Sequence, residues 1–140
     1  MTKLEWVRKI ITGEAQLPEA GITLGFRMME AEEGSTTMQM DFQESLTNRS
    51  GSMQGGVLAA LMDASMGSSL STVSEENEDH ATLEFKVSFM RPATAALSPF
   101  TAVGSVLYRG RSIAHTTSEV KGSDGTLLAK ATGSWMIKKS

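Results

Sequence analysis

Asp63 is the residue whose surroundings point most directly to chemistry. It lies in the apolar run 57–70, eight residues after Gly55. A carboxylate among apolar side chains is costly to bury unless it meets a polar site or a subunit boundary. It reads either as a general base or nucleophile, or as a helix residue that faces solvent or bonds a neighbour. Gly55 and Gly56 open the same run. Two glycines at a helix start leave backbone N–H groups free of side-chain cover at the positive end of the dipole, which suits an oxyanion or a polarised carbonyl. A tight turn before the helix is the plainer reading. Asn48, in the polar loop 43–53, could donate an amide N–H to a carbonyl or make the commoner Asx-turn. Arg91, Arg109 and Arg111 fall at strand ends and turns, where they could meet phosphates. Met53, Met62 and Met66 lie near these positions and could line an adaptable apolar pocket, although core filling is the default role of methionine. His80, at the acidic stretch 75–79, and His115, within a strand, have no Ser or Asp at a telling spacing; both read as structural or exposed.

Composition narrows the classes. The chain has 140 residues, and 13 Lys+Arg against 16 Asp+Glu give a net charge of −3. A nucleic-acid binder would show a basic excess. With no Cys, a disulfide scaffold, a thiolate metal site and a cysteine nucleophile are excluded together, and two His make a poly-His metal site an unpromising reading. The first ten residues are interrupted by Glu5, Arg8 and Lys9, so they form no signal-type apolar core, and the run 55–62 is too short to span a bilayer. The expected compartment is the cytoplasm, with no membrane or nucleic-acid partner.

These residues need elements to hold them. Residues 2–12 read as a helix, with Thr2 and Glu5 as a capping box and Gly13 as its end. Segments 22–31 and 35–42 read as strands joined by a turn at Gly34. Run 57–70 reads as a helix apolar nearly all round, hence buried nearly all round. The acidic stretch 75–79 reads as a solvated loop. From Ala81 onward Leu83, Phe85, Val87 and Phe89 alternate with Thr82, Glu84, Lys86 and Ser88, the period of a half-buried strand. Segments 100–108, 112–120 and 127–137 complete a meander, with a hairpin turn at 123–125. The expected architecture is α+β: an antiparallel sheet of about six strands curled around one long central helix. The whole of 1–140 is expected to be one domain, with helix and linker in 1–18 and the core in 19–138. The sheet's edges and second face need cover, so at least a dimer is expected.

The stretch from Asn48 through Gln54-Gly55-Gly56 to Asp63 and Gly67 resembles the hotdog-fold acyl-CoA thioesterases of the phenylacetate-pathway (PaaI) and hydroxybenzoyl-CoA thioesterase type. Their pattern is N-x-x-G-x-x-H-G-G, an apolar run, a catalytic Asp or Glu, and a small-residue helix ending in Gly. The likeness continues through Thr82 to Ala93, the Arg109-Gly110-Arg111-Ser112 turn and the last hairpin, spanning roughly 20–137. It implies that Asp63 acts as general base or nucleophile on a thioester carbonyl polarised by the Gly55 N–H. Thr82 would help place water, and Asn48 would orient the carbonyl or the water. It also implies that Asp63 and Thr82 come from one subunit and Gly55 and Asn48 from its partner, in a dimer or dimer of dimers. The coenzyme A phosphates would lie against Arg91 and the turn Arg109, Gly110, Arg111, Ser112. Gly56, Met53, Met66, Phe89 and Met90 complete the expected substrate contacts. No metal and no cofactor beyond coenzyme A in the substrate are expected.

One departure stands out: Gln54 occupies the position where that family has His. Gln can hydrogen-bond and fix the loop, but it carries no proton or positive charge. The expected activity is hydrolysis of a medium-chain or aromatic acyl-CoA to free acid and CoA. The alternative is a non-catalytic acyl-CoA-binding hotdog protein. A dehydratase would need a His beside Asp63, which the sequence does not place there. A ligand-free structural oligomer would leave a buried Asp63 unexplained.

Overall fold

The computed structural model describes residues 1–140. Thr2 caps helix α1 (Lys3–Thr12): its hydroxyl accepts the Glu5 N–H and the Glu5 carboxylate accepts the Thr2 N–H, both at 3.1 Å. Residues 22–31 are not one strand, as the sequence suggested. Helix α2 (Glu19–Leu24) follows Pro18 and is closed by Gly25 at φ 80°, and only then does strand β1 (Arg27–Glu32) begin. The reason is local. Proline pre-sets the helix entry, and the left-handed glycine lets the Phe26 N–H return to the Gly21 carbonyl at 2.8 Å.

Strand β2 (Ser35–Met40) pairs with β1; helix α3 (Gly55–Ser71) follows, and then β3 (Glu78–Phe89), β4 (Phe100–Arg109), β5 (Ile113–Lys121) and β6 (Leu127–Lys139). The six strands form one antiparallel sheet in the order β1-β2-β4-β5-β6-β3. No helix is long and apolar enough to cross a membrane. The sheet wraps α3, whose Leu58, Leu61, Met62, Met66 and Leu70 are buried against Met38, Met40, Phe100 and Leu128. An apolar, small-residue helix admits this enclosure because it offers almost no side that requires water.

Helix and sheet approach most closely at Gly104 of β4. A Cβ there would lie 2.1 Å from the Ser65 carbonyl oxygen. Beside this contact the Thr36 hydroxyl donates to the same carbonyl at 2.8 Å, and the Ser65 and Ser118 hydroxyls meet at 2.8 Å. These serines sit in the core without cost in unpaired polar groups.

β3 departs from its simple period. It starts at Glu78, inside what reads as a solvated loop, and Glu78 is 1% exposed. Its carboxylate accepts from Arg109 and from the Glu75 N–H, so the buried charge is paired. A bulge then falls at Leu83, between the Thr82–Trp135 and Glu84–Ser134 pairs. The extra residue reverses the parity of the strand. Glu78, His80 and Thr82 face inward before it, Phe85 and Val87 after it, and Leu83 is left exposed.

Gly104→Ala should destabilise the fold by about 1–3 kcal/mol through overpacking, read as a lower urea midpoint. Gly21→Ala is the control: its Cβ would have ordinary clearance of 3.5 Å, so the midpoint should hold or rise.

Candidate active site

Asp63 stands half-buried on the stripe of α3 that faces the start of β3 across a cavity. Its Oδ1 accepts the Thr82 hydroxyl at 2.8 Å. This pair exists because of the bulge: with strict alternation from Phe85 and Val87, Thr82 would face outward. The hydroxyl satisfies one carboxylate oxygen and fixes the side chain's orientation, leaving the other oxygen available.

The pair opens onto a cavity of about 340 Å³. One wall is the α3 stripe of Asp63, Ala64, Gly67, Ser68 and Ser71. Facing it are His80 and Thr82 of β3 with Trp135 of β6, and α1 contributes Trp6, Val7 and Ile10. The Trp135 indole donates to the Thr116 hydroxyl at 2.8 Å and lies over Gly67, where a Cβ would come within 3.0 Å of its ring.

His80 is not a loop residue, as its place beside the acidic stretch suggested. It lies two positions before Thr82 on the same face of β3, in the same cavity as Asp63, which corrects the expectation that no His stands near that carboxylate. Its Nε2 is 3.0 Å from the Ser71 hydroxyl, and its ring meets Trp135 edge-on at 5.2 Å. Its Nδ1 is buried with no partner. Burial first, and then the Lys3 charge, push the imidazole pKa below its ordinary value, against the opposing pull of Asp79 and Asp63.

The other expected site residues gather elsewhere. Gly55, Asn48, Met53, Phe89, Met90 and Arg91 line a second cavity of about 420 Å³. Helical rise puts Gly55 about 12 Å along the axis from Asp63. The Gln54 side chain accepts the Gly56 N–H at 2.6 Å and so caps α3. That engages Gly56, which corrects its expected substrate contact, and leaves the Gly55 N–H at the helix mouth. Asn48 makes the Asx-turn: its Oδ1 accepts from the Ser50 and Ser52 N–H groups at 2.9 and 3.3 Å.

Two further expectations are corrected. Met66 is fully buried in the core and lines neither cavity. Arg109 is engaged with the buried Glu78 and is therefore not a free phosphate ligand. The Glu75 N–H first, and Arg109 after the opposing effect of burial, hold the Glu78 pKa below its ordinary value. Gly110 and Ser112 close the turn through the Ile113 carbonyl and the Ile137 N–H, each at 2.8 Å, with Arg111 exposed. His, Asp and Glu side chains nowhere gather in threes as a metal site.

A six-stranded antiparallel sheet wound around one buried helix, with a carboxylate in mid-helix, is the hotdog fold of PaaI-type thioesterases. The model of the Thioesterase superfamily matches residues 50–129, and the chain belongs to that superfamily. A Saccharolobus solfataricus protein with a provisional esterase name is 32% identical over 117 residues, covering 84% of this chain and 81% of that one. A thioesterase family protein of Silicibacter pomeroyi superposes with a TM-score of 0.86 at 23% identity, covering 96% of this chain and 99% of the other. A phenylacetic acid degradation-related protein of Ralstonia eutropha JMP134 reaches 0.83 at 28% identity, covering 93% and 98%. Hydrolysis of a thioester is the activity for which the superfamily is named.

Sequence reasoning missed His80, Ser71, Trp135 and the α1 wall. Only His80 left a usable signal, its even spacing from Thr82 on one strand.

The depressed imidazole pKa has a measurable consequence. The folded chain favours neutral His80, so below about pH 6.5 the unfolded chain binds the proton first and stability is lost as pH falls further. The drop in urea midpoint between neutral pH and mildly acid pH should be smaller in His80→Gln than in the parent.

Proposed function

We propose that the chain hydrolyses an acyl-CoA thioester, of a medium-chain or aromatic acid, to the free acid and CoA. The observation that carries this reading is the Asp63–Thr82 hydrogen bond at the wall of an apolar cavity. Asp63 accepts a proton from water as its oxygen attacks the thioester carbonyl carbon. The carbonyl oxygen takes up negative charge, which a backbone N–H at a helix N-terminus stabilises. The C–S bond then breaks, and the departing sulfur takes a proton, giving acid and thiol.

The oxyanion donor cannot be the chain's own Gly55. The carbonyl oxygen must reach the N–H while the attacking water bridges its carbon to Asp63, and the two groups are about 12 Å apart along one rigid helix, too far for one water to span. A second copy, packed against the first, supplies the missing half. β3 is suited to that contact: it is a sheet edge with Leu83 and Phe89 each 52% exposed and Met90 47% exposed at its end. The working unit is therefore a dimer or a dimer of dimers. Arg91, which lines the second cavity with Gly55, is the proposed partner of the CoA phosphates.

Gln54 is compatible with turnover. Its amide oxygen caps the helix, a task that needs neither a proton nor a charge.

Free-thiol release from a panel of acyl- and aryl-CoA thioesters tests the reading. Asp63→Asn should lower kcat by about 10²–10⁴-fold, the range for losing a general base. Unchanged turnover in that variant would overturn the assignment, and no turnover on any thioester would leave a binding protein. Gly55→Pro deletes one N–H at a position where the helix tolerates proline, and should cost about 10²–10³-fold. After co-refolding, a mixture of the two variants should recover about one quarter of the parent activity, since half of the dimers then hold one intact site. No recovery would place both groups in one subunit.

A further inference from the structure

We propose that α1 and the linker behind it set the length of the acyl group, through Trp6, Ile10 and Leu17, and that the acyl arm lies extended between α1 and α3. This rests on the thioesterase reading. The cavity that holds Asp63 has a direction. Its α3 wall runs from Asp63 to Ser71, about 12 Å of helix axis. A carbonyl held at Asp63 therefore sends its chain along this stripe toward Ser71 and His80, which close the far end with a hydrogen bond of their own. At C–C bond lengths of about 1.5 Å in zigzag, that run holds about nine or ten carbon atoms.

The opposite side of the run is α1. Trp6 and Ile10 stand one helical turn apart on its inner face, and Leu17 extends the wall past the helix end. This wall is fixed in place. Val7 between them is 1% exposed. The Lys3 ammonium donates to the Glu78 carbonyl, and Arg8 Nε donates to the Ala31 carbonyl at 3.2 Å. The cavity therefore has a preformed shape, and discrimination comes from filling it. The family match begins at residue 50, so it contains Asp63 and Thr82 but none of α1. The α1 side of the wall thus lies outside the matched span, while Ser71 and His80 at its far end lie within it.

The test compares kcat/KM for straight-chain thioesters from butanoyl-CoA to palmitoyl-CoA. The parent should peak at octanoyl- or decanoyl-CoA. Ile10→Trp fills the run and should move the optimum to shorter chains, changing the decanoyl-to-butanoyl ratio by about tenfold or more, the scale on which a hydrophobic pocket discriminates. Ile10→Ala and Trp6→Ala should move it toward longer chains; Trp6, 40% exposed, gives a readable variant if Ile10 proves necessary for folding. A profile of unchanged shape in folded variants would overturn the proposal while leaving the hydrolase reading intact. Calorimetric binding of non-hydrolysable thioether analogues of the same chain lengths separates the two. Affinity that follows length and shifts with Ile10, without turnover of any thioester, would uphold the wall and remove the reaction. Affinity indifferent to both length and Ile10 would overturn the wall.

Discussion

The close contact between α3 and the sheet is the constraint on which the rest depends. At Gly104 the β4 backbone approaches the Ser65 carbonyl so closely that no side chain fits between them. Such an approach requires a helix of small and flexible residues, and 57–70 is composed that way. It also requires that polar atoms carried inward find partners, which the hydroxyls of Thr36, Ser65 and Ser118 provide. Once the sheet has closed around the helix, one stripe borders a cavity instead of packing tightly. Asp63 lies on it, and so do Ser68 and Ser71.

That enclosure explains why a carboxylate persists in such a helix. Asp63 is only half-buried, and the Thr82 hydroxyl gives one of its oxygens a direct hydrogen bond. The Leu83 bulge makes this bond possible, because it turns Thr82 toward the helix and leaves Leu83 outside. A single extra residue in one strand thus links the sheet's register to the candidate chemistry.

The rigid helix also divides the site. Asp63 and the helix mouth at Gly55 open onto separate cavities, and no rotamer change spans the distance between them. A symmetric pairing of two copies satisfies both the incomplete site and the exposed β3 edge. Away from the site, Glu78 and Arg109 tie the start of β3 to the end of β4, so a charged pair holds the strand that carries His80 and Thr82.

Elements fixed by local sequence were legible beforehand. The Thr2–Glu5 box, the apolar run of α3 and the alternating strands from Phe100 onward are written in neighbouring residues, and Asp63 stood out because a charge in an apolar run is a local anomaly. Apart from α2, which Pro18 and Gly25 set locally, what failed depends on distant partners. Glu78 reads as solvated in an acidic stretch, and only the arrival of Arg109 from another strand makes its burial tolerable. His80 read as part of the acidic loop, and strict alternation put Thr82 opposite Phe85 and Val87, whereas the bulge is set by how β3 lies on β6. Arg109 and Met66 looked available because sequence does not say what they meet. The sequence by itself determined most of the elements and singled out the Asp63 carboxylate, since propensity, capping and hydrophobic period act over a few residues. Only the tertiary structure decided which groups share a cavity with Asp63, because register, burial and ion pairing are settled between segments tens of residues apart.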